Sequence, residues 1–290
     1  MHSLENKPRK VIQQFFLDST HWDKVIPRKD DIIIASCYKA GTTLTQQIVN
    51  LLLNGNNNAD SMRAMSPWMD SGRFIPDPAE IEALPSPRFL KSHLPVDALP
   101  WHPEWKYIYL ARDPRDVGLS LFNHCRLIED ELEALGEGNS IDNGPADFLS
   151  FWDHWVETGK PRWDFWENTD SWWKARHLPN VLLIHFAGLT KNKAGEAERI
   201  AGFLGCPWNP SVQERVLEHS SLDYMKSLES AGKFSSTDKA PNKAGFIHKG
   251  TNGRWKDLLT EKQLERYQEI ITQKLEPDCI EWLVHGGHID

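Results

Sequence analysis

The chain is expected to be an α/β protein, a three-layer α/β/α sandwich around a central parallel sheet that includes a phosphate-loop-like strand-turn-helix. Two observations lead there. Short apolar runs at residues 32–35, 89–92, 107–111 and 181–185 alternate with stretches of helical periodicity. The first run also passes through a turn of small residues, carrying one lysine, directly into a helical pattern.

Asp31-Ile32-Ile33-Ile34-Ala35-Ser36 is continuous and β-branched, as a strand buried on both faces should be. From Thr43 onward, Leu44, Ile48, Val49, Leu51 and Leu52 recur at helical spacing until the stop signal Asn54-Gly55. Between them lies Cys37-Tyr38-Lys39-Ala40-Gly41-Thr42-Thr43. Gly41 can take a strained conformation and admit an anion to the main chain, and the unpaired N–H groups of the helix start face outward to meet it. Thr42 and Thr43 add hydroxyl donors and Lys39 a mobile charge. The nucleotide-triphosphate pattern G-x-x-x-x-G-K-[ST] has its lysine after the glycine, whereas here it comes before. That order weakens a kinase or GTPase reading without removing it.

Three further segments carry chemistry. Phe89-Leu90-Lys91-Ser92-His93-Leu94-Pro95 is a strand ending in a basic and an imidazole side chain before a proline stop. The strand at residues 107–111 runs into a helix whose start is marked by Asp113 and Pro114, placing Arg112 at the strand end and Ser120 about two turns into the helix. Arg112 could instead pair with Asp116. His248-Lys249-Gly250-Thr251-Asn252-Gly253-Arg254-Trp255-Lys256 is a glycine-punctuated basic loop, by composition too flexible for a packed element. All the strands deliver their motif residues at carboxyl ends, so Lys39, His93 and Arg112 are expected to converge over one edge of the sheet.

Together these segments, covering about residue 31 to residue 260, resemble the cytosolic sulfotransferases that use 3′-phosphoadenosine 5′-phosphosulfate (PAPS), in their soluble, small-molecule branch. The family forms are Tyr-Pro-Lys-Ser-Gly-Thr-Thr-Trp, Lys-Thr-His-Leu-Pro and Arg-Lys-Gly-x-x-Gly-x-Trp-Lys. The resemblance implies in-line transfer of a sulfonate from PAPS to a hydroxyl or amine of a small acceptor, leaving adenosine 3′,5′-bisphosphate (PAP), with no metal. It implies His93 as base, assisted by Lys39 and Lys91. Lys39, Ala40, Gly41, Thr42, Thr43 and Leu44 would surround the 5′-phosphosulfate and the start of the adenine site. Arg112, Ser120, His248, Lys249 and Gly250 would hold the 3′-phosphate, and Phe186, Ser220, Ser221 and Leu222 the adenine. Several positions depart from the family: Tyr38 for proline, Leu44 for a stacking tryptophan, Phe186 for tyrosine, Ala187-Gly188 for Glu-Asp, and His248 for arginine. A histidine at 248 makes a weaker and more pH-sensitive phosphate contact than a guanidinium. Two alternatives stay open, a small-molecule kinase and a nucleotide-binding homologue that has lost catalysis.

Composition narrows the class. At 290 residues, without a Pro/Gly/Ser-rich linker, residues 1–290 read as one domain. No run of about 18 apolar residues occurs and the N-terminus lacks an apolar signal core, so a cytoplasmic protein, neither secreted nor membrane-spanning, is expected. Cys37, Cys125, Cys206 and Cys279 are scattered, as reduced thiols rather than metal ligands. A net charge of −8 argues against nucleic acid as a partner. The tryptophan-rich stretch from Trp152 to Trp173 reads as an amphipathic helical pair packed on the sheet rather than a ligand floor. Trp68, Met69 and Phe74, in a Pro/Gly-broken stretch, are the acceptor-pocket candidates. Residues 256–265 resemble the family's dimer-contact motif, broken at Glu261, and also fit an ordinary helix start with Thr260 as N-cap, so a homodimer is left open.

Overall fold

The four apolar runs become four parallel strands of one sheet. In the computed structural model, which describes residues 4, 8–55, 61–73, 75–134, 142–234, 247 and 250–288, β1 (Gln13–Gln14) and β2 (Leu17–Asp18) form a separate antiparallel hairpin. Strands of two residues have no periodicity to read, and the sequence does not announce them. The sheet proper contains β3 (Ile32–Ser36), β4 (Phe89–Ser92), β5 (Lys106–Ala111) and β6 (Val181–His185) in the order β4-β3-β5-β6. Ile33 stands opposite Leu90 and Tyr107, and Tyr109 opposite Leu183.

Because side chains alternate along a strand, each run supplies both faces. Ile32, Ile34, Phe89, Ile108, Leu110 and Ile184 point to one side. They meet α1 (Thr42–Asn54), α8 (Lys193–Leu204) and α9 (Pro210–His219) through Ile48, Val49, Ile200 and Val216. Short α2 (Met62–Met65) and α3 (Pro78–Ala83) connect β3 to β4, α7 (Phe186–Lys191) continues β6, and α10 (Leu222–Ser230) follows α9. Ile33, Ala35, Leu90, Tyr107, Tyr109 and Leu183 face the other side. Packed on them are α4 (Pro114–Ala134), α5 (Phe148–Thr158), α6 (Phe165–Ala175), α11 (Glu261–Lys274) and α12 (Pro277–His285).

The expected tryptophan pair of helices is α5 and α6. Each is started by an aspartate, Asp147 accepting from the Ser150 N–H and Asp164 from those of Trp166 and Glu167. Trp155 and Trp172 are fully buried, the latter stacked on Tyr109 with ring centres 5.0 Å apart. Thr260 caps α11 in a reciprocal capping box with Gln263, as an ordinary helix start requires.

The chain steps from β3 out to β4 and then back past β3 to β5, so the carboxyl ends of β3 and β5 flank a topological switch point, where open α/β sheets leave a crevice. At the opposite end, a buried ion pair fixes β3 to β4. Arg88 grips Asp31 with Nε at 2.6 Å and Nη2 at 3.0 Å, both side chains fully enclosed, and Nη2 also donates to the Ile26 carbonyl. Arg88 Nη1 also reaches Glu82 Oε1 at 3.0 Å, so it is replacing Arg88 that strands a charge, the enclosed Asp31 carboxylate. Arg88→Met is expected to lower stability by about 3–5 kcal/mol, and adding Asp31→Leu to recover most of that loss, read as urea midpoints. A double variant no more stable than the single would refute the ion-pair account.

Candidate active site

The turn after β3 is built to present main-chain donors. Lys39 has φ of +54° and Gly41 +106°, which swings the chain sharply into α1. The first helical bond runs from Thr45 N–H to Gly41 O, and no side chain caps the helix. The leading N–H groups of α1 are therefore left for a ligand. Glycine at 41 is required twice, since its φ is in the left-handed region and a Cβ there would sit 2.6 Å from Phe186 Cδ2. Tyr38, where the family has proline, anchors the turn to the tryptophan layer: its hydroxyl donates to Gly159 O (2.9 Å) and accepts from Trp155 Nε1 (2.8 Å).

His93 leaves β4 into this turn. Its Nδ1 lies 2.8 Å from the Ser36 carbonyl, which can only accept, so Nδ1 carries the proton and Nε2 keeps its lone pair for the cavity. Ser36 Oγ, 3.3 Å from the same nitrogen, is also 2.6 Å from Thr42 Oγ1. Asp70 Oδ2 accepts from both the His93 backbone N–H (2.8 Å) and Trp68 Nε1 (2.9 Å), and Asn168 Nδ2 donates to His93 O. The imidazole sits between Trp68 and Trp163, with ring centres at 5.0 and 5.3 Å. Burial, reinforced by the charges of Lys91 and Lys39, holds it well below the usual histidine range, so it is neutral at pH 7. Burial likewise pushes Lys91 down to about 8, and burial with the Lys91 and Arg112 charges pushes Lys39 to about 8. Lys91 Nζ rests 4.9 Å over the Trp68 ring.

Arg112, at the end of β5, lies 4.5 Å over Phe186 and donates to Thr251 O (2.9 Å) and Asn252 Oδ1 (3.2 Å). Its approach to Asp116 is looser, at 3.9 Å. Asp116 in turn accepts from the N–H groups of Gly253 and Arg254. The basic segment is therefore partly a packed element: residues 254–257 form a 3-10 turn pinned to the start of α4, contrary to the expectation from its composition. His248 and Lys249 lie outside the described residues.

One cavity of about 670 Å³ gathers most of the candidates: Lys39, Gly41, Thr42, Thr43 and Leu44 from the turn, Lys91 and His93 from β4, then Arg112, Ser120 and Gly250, with Phe186, Ser220 and Leu222. Two candidates are not there. The Ala40 side chain turns into the core beneath α1, and Ser221 caps α10 by accepting from Tyr224 N–H. Of the acceptor-pocket candidates Trp68 lines the cavity, Met69 belongs to the core because its backbone pairs with Lys91, and Phe74 lies outside the described residues. Ser36, Asp70, His124, Arg162 and Trp163 were missed. His124 was findable, being one helical turn beyond Ser120 on α4; Trp163 was read with its packed neighbours although it bridges α5 and α6 and lines the cavity.

A family model described as "Sulfotransferase domain" matches residues 29–277. The chain belongs to the sulfotransferase family. It is an enzyme of PAPS-dependent sulfonate transfer to small-molecule acceptors, which decides against the kinase alternative. Sulfotransferase 1B1 of the dog is 30% identical over 261 residues, covering 86% of this chain and 84% of its own. A glycolipid sulfotransferase of Mycobacterium tuberculosis is 29% identical over 311 residues, covering 96% and 95%. Mouse sulfotransferase SULT7A1 complexed with PAP shares the fold with a TM-score of 0.71 at 21% identity, over 94% of this chain and 98% of that one. Retinol dehydratase with androsterone and PAP does so at 0.70 and 24%, over 91% and 87%.

In this sulfotransferase Gly41→Ala is expected to weaken PAP at least about tenfold and to destabilise the fold by about 1–3 kcal/mol, because strain and the Phe186 clash act together. Calorimetric titration and urea unfolding check this; a Gly41→Ala protein with wild-type PAP affinity and wild-type stability would refute the requirement for glycine.

Proposed function

We propose that this sulfotransferase, acting as a single domain, moves the sulfonate of PAPS directly to an acceptor hydroxyl or amine with His93 as general base. The observation that carries the reading is the His93 tautomer: Nδ1 is committed to the Ser36 carbonyl, and Nε2 opens on the cavity beside the uncapped start of α1. The acceptor proton passes to Nε2 as the acceptor atom bonds to sulfur, the bond from sulfur to the bridging phosphate oxygen breaks, and PAP leaves. Lys39 neutralises charge on that oxygen and Lys91 steadies the sulfonate oxygens. These two ammonium groups supply the positive charge at the transferring group, so the reaction is written without a metal.

The residues present suit such a nucleotide. Uncapped N–H groups and Thr43 would take the 5′-phosphosulfate, and Arg112 with Ser120 the 3′-phosphate. Leu44, Leu222 and Phe186 leave apolar walls for adenine, with Met62 and Met225 nearby in the same lining, so dispersion replaces ring stacking there. The anionic phosphosulfate would also offset the lysine charges that depress His93, raising its basicity when the substrate is in place. The four cysteines are unpaired, which supports a cytoplasmic setting. No helix among the described residues is long and apolar enough to cross a membrane.

His93→Ala should leave PAP affinity within a few-fold of wild type while turnover falls by about 10²–10⁴. A variant keeping more than about a tenth of the rate contradicts the base assignment.

PAP affinity should also depend on pH in a stated direction. The nucleotide binds the charged forms of Lys39 and Lys91, which in the empty site lose their protons near 8. Between about pH 6.5 and 7, above the phosphate pKa of about 6, affinity is therefore nearly level, and it weakens as pH rises through 8, by up to about tenfold per pH unit for each lysine. Calorimetric titrations between pH 6.5 and 9.5 that give one constant affinity would rule this out.

A further inference from the structure

Arg162, on the connection between α5 and α6, is 9% exposed and lines the cavity. Nη1 donates to the Asp142 carbonyl (2.9 Å), Nη2 to Asn143 Oδ1 (2.7 Å), and the guanidinium lies 4.6 Å from the centre of the Phe16 ring. Every one of these partners is neutral. Asp142 turns its own carboxylate to the Gly144 N–H instead. The contrast with Arg88, gripped by Asp31, and Arg115, gripped by Asp113, is direct: among the described residues no carboxylate comes within ion-pair distance of Arg162. The Asp142 carboxylate acts on Arg162 only through its charge at longer range; a guanidinium removed from water without an anion in contact is unfavourable, and two hydrogen bonds leave part of its five-donor fork uncommitted. Burial accordingly pushes Arg162 below the usual arginine range.

Its place in the cavity is on the acceptor side. Trp163, the next residue, flanks His93. Phe16 belongs to the β1–β2 turn, whose backbone carbonyl is bonded by Gly72 N–H, close in sequence to Trp68. His124 is half-buried, and desolvation, with the charges of Lys39, Arg162 and Lys91, holds it well below the usual histidine range. One turn further along α4, Leu127 and Ile128 close the same region with apolar surface. Among the described lining residues the only carboxylate is Glu229, on α10, where it accepts from Ile247 N–H.

We propose that the acceptor is an aromatic hydroxy acid, whose carboxylate pairs with Arg162 while its hydroxyl meets His93 and its ring rests against the cavity-facing edges of Trp68 and Trp163, the indoles that flank His93. The hydroxyl's role rests on the sulfotransfer reading; the carboxylate contact does not need turnover. Matched probes separate the two: para-hydroxyphenylacetate and its methyl ester, titrated into the PAP-saturated full-length protein, with PAPS-dependent transfer measured separately.

In the wild type the acid should bind roughly ten- to a hundredfold tighter than the ester, the range of a charge-assisted hydrogen bond. Arg162→Met should erase that preference while ester affinity stays within about threefold, and Arg162→Lys should keep part of it. Thermal unfolding checks both variants; if Arg162→Met does not fold, the wild-type pair and Arg162→Lys still decide. Equal affinities for acid and ester in the wild type, no binding of either at millimolar concentration, or a preference that survives Arg162→Met overturns the inference. Preferential binding of the acid without transfer would overturn the placement of this acceptor's hydroxyl at His93 and leave the carboxylate site standing. Equal transfer to acid and ester, with equal binding, does the reverse.

Discussion

The hydrogen bond from His93 Nδ1 to the Ser36 carbonyl, 2.8 Å long, is the contact on which the site depends. It ties the end of β4 to the end of β3, selects the tautomer that leaves Nε2 basic, and does so one residue before the phosphate turn begins. The Ser36 hydroxyl extends the link to Thr42, the first residue of α1. The proposed base and the uncapped start of α1 are thereby set in register by two strand ends rather than by loops. Rigid elements are what allow a group transfer to gain from positioning, since small displacements of a reacting group are costly in rate.

Around that contact the protein accumulates like charge. Burial, with the charges of Lys91 and Arg112, depresses the Lys39 pKa, and burial with the charges of Lys91 and Lys39 holds His93 neutral. A chain of net charge −8 thus encloses a cationic cavity. The arrangement is unfavourable while empty and is relieved by an anionic substrate, which is how a site can favour a nucleotide of high negative charge over neutral ligands. Asp70 moderates the cost. Its buried carboxylate accepts from His93 N–H and from the indoles of Trp68 and Trp22, and it raises the Lys91 pKa against the effect of burial.

The aromatic layer has a comparable double use. Trp155 and Trp172 are core residues, but Trp163 leaves the helical pair, donates to Cys37 O and walls the imidazole. Tyr38 joins the same layer to the phosphate turn, so the substitution of tyrosine for the family's proline exchanges a stiff ring for two hydrogen bonds. For Ala187 and Gly188 in place of an acidic pair the structure offers no physical account.

Local pattern alone determined the four strands, the turn at Gly41, the helix ending at Gly55 and the caps at Thr260, because β-branched runs, glycines of positive φ and capping hydroxyls act on their immediate neighbours. Motif spacing likewise marked His93, Arg112 and Ser120, which the cavity contains. Tertiary structure alone decided the rest. Asp70, Ser36 and Arg162 acquire their meaning from partners distant in the chain, and no periodicity encodes that. The packed turn at residues 254–257 exists because Asp116, on another helix, satisfies its N–H groups, and Met69 is core because its backbone pairs with β4. A side chain's role at such positions is fixed by what long-range packing leaves beside it, so composition around Gly253 suggested a free loop where Asp116 holds part of the backbone in a turn.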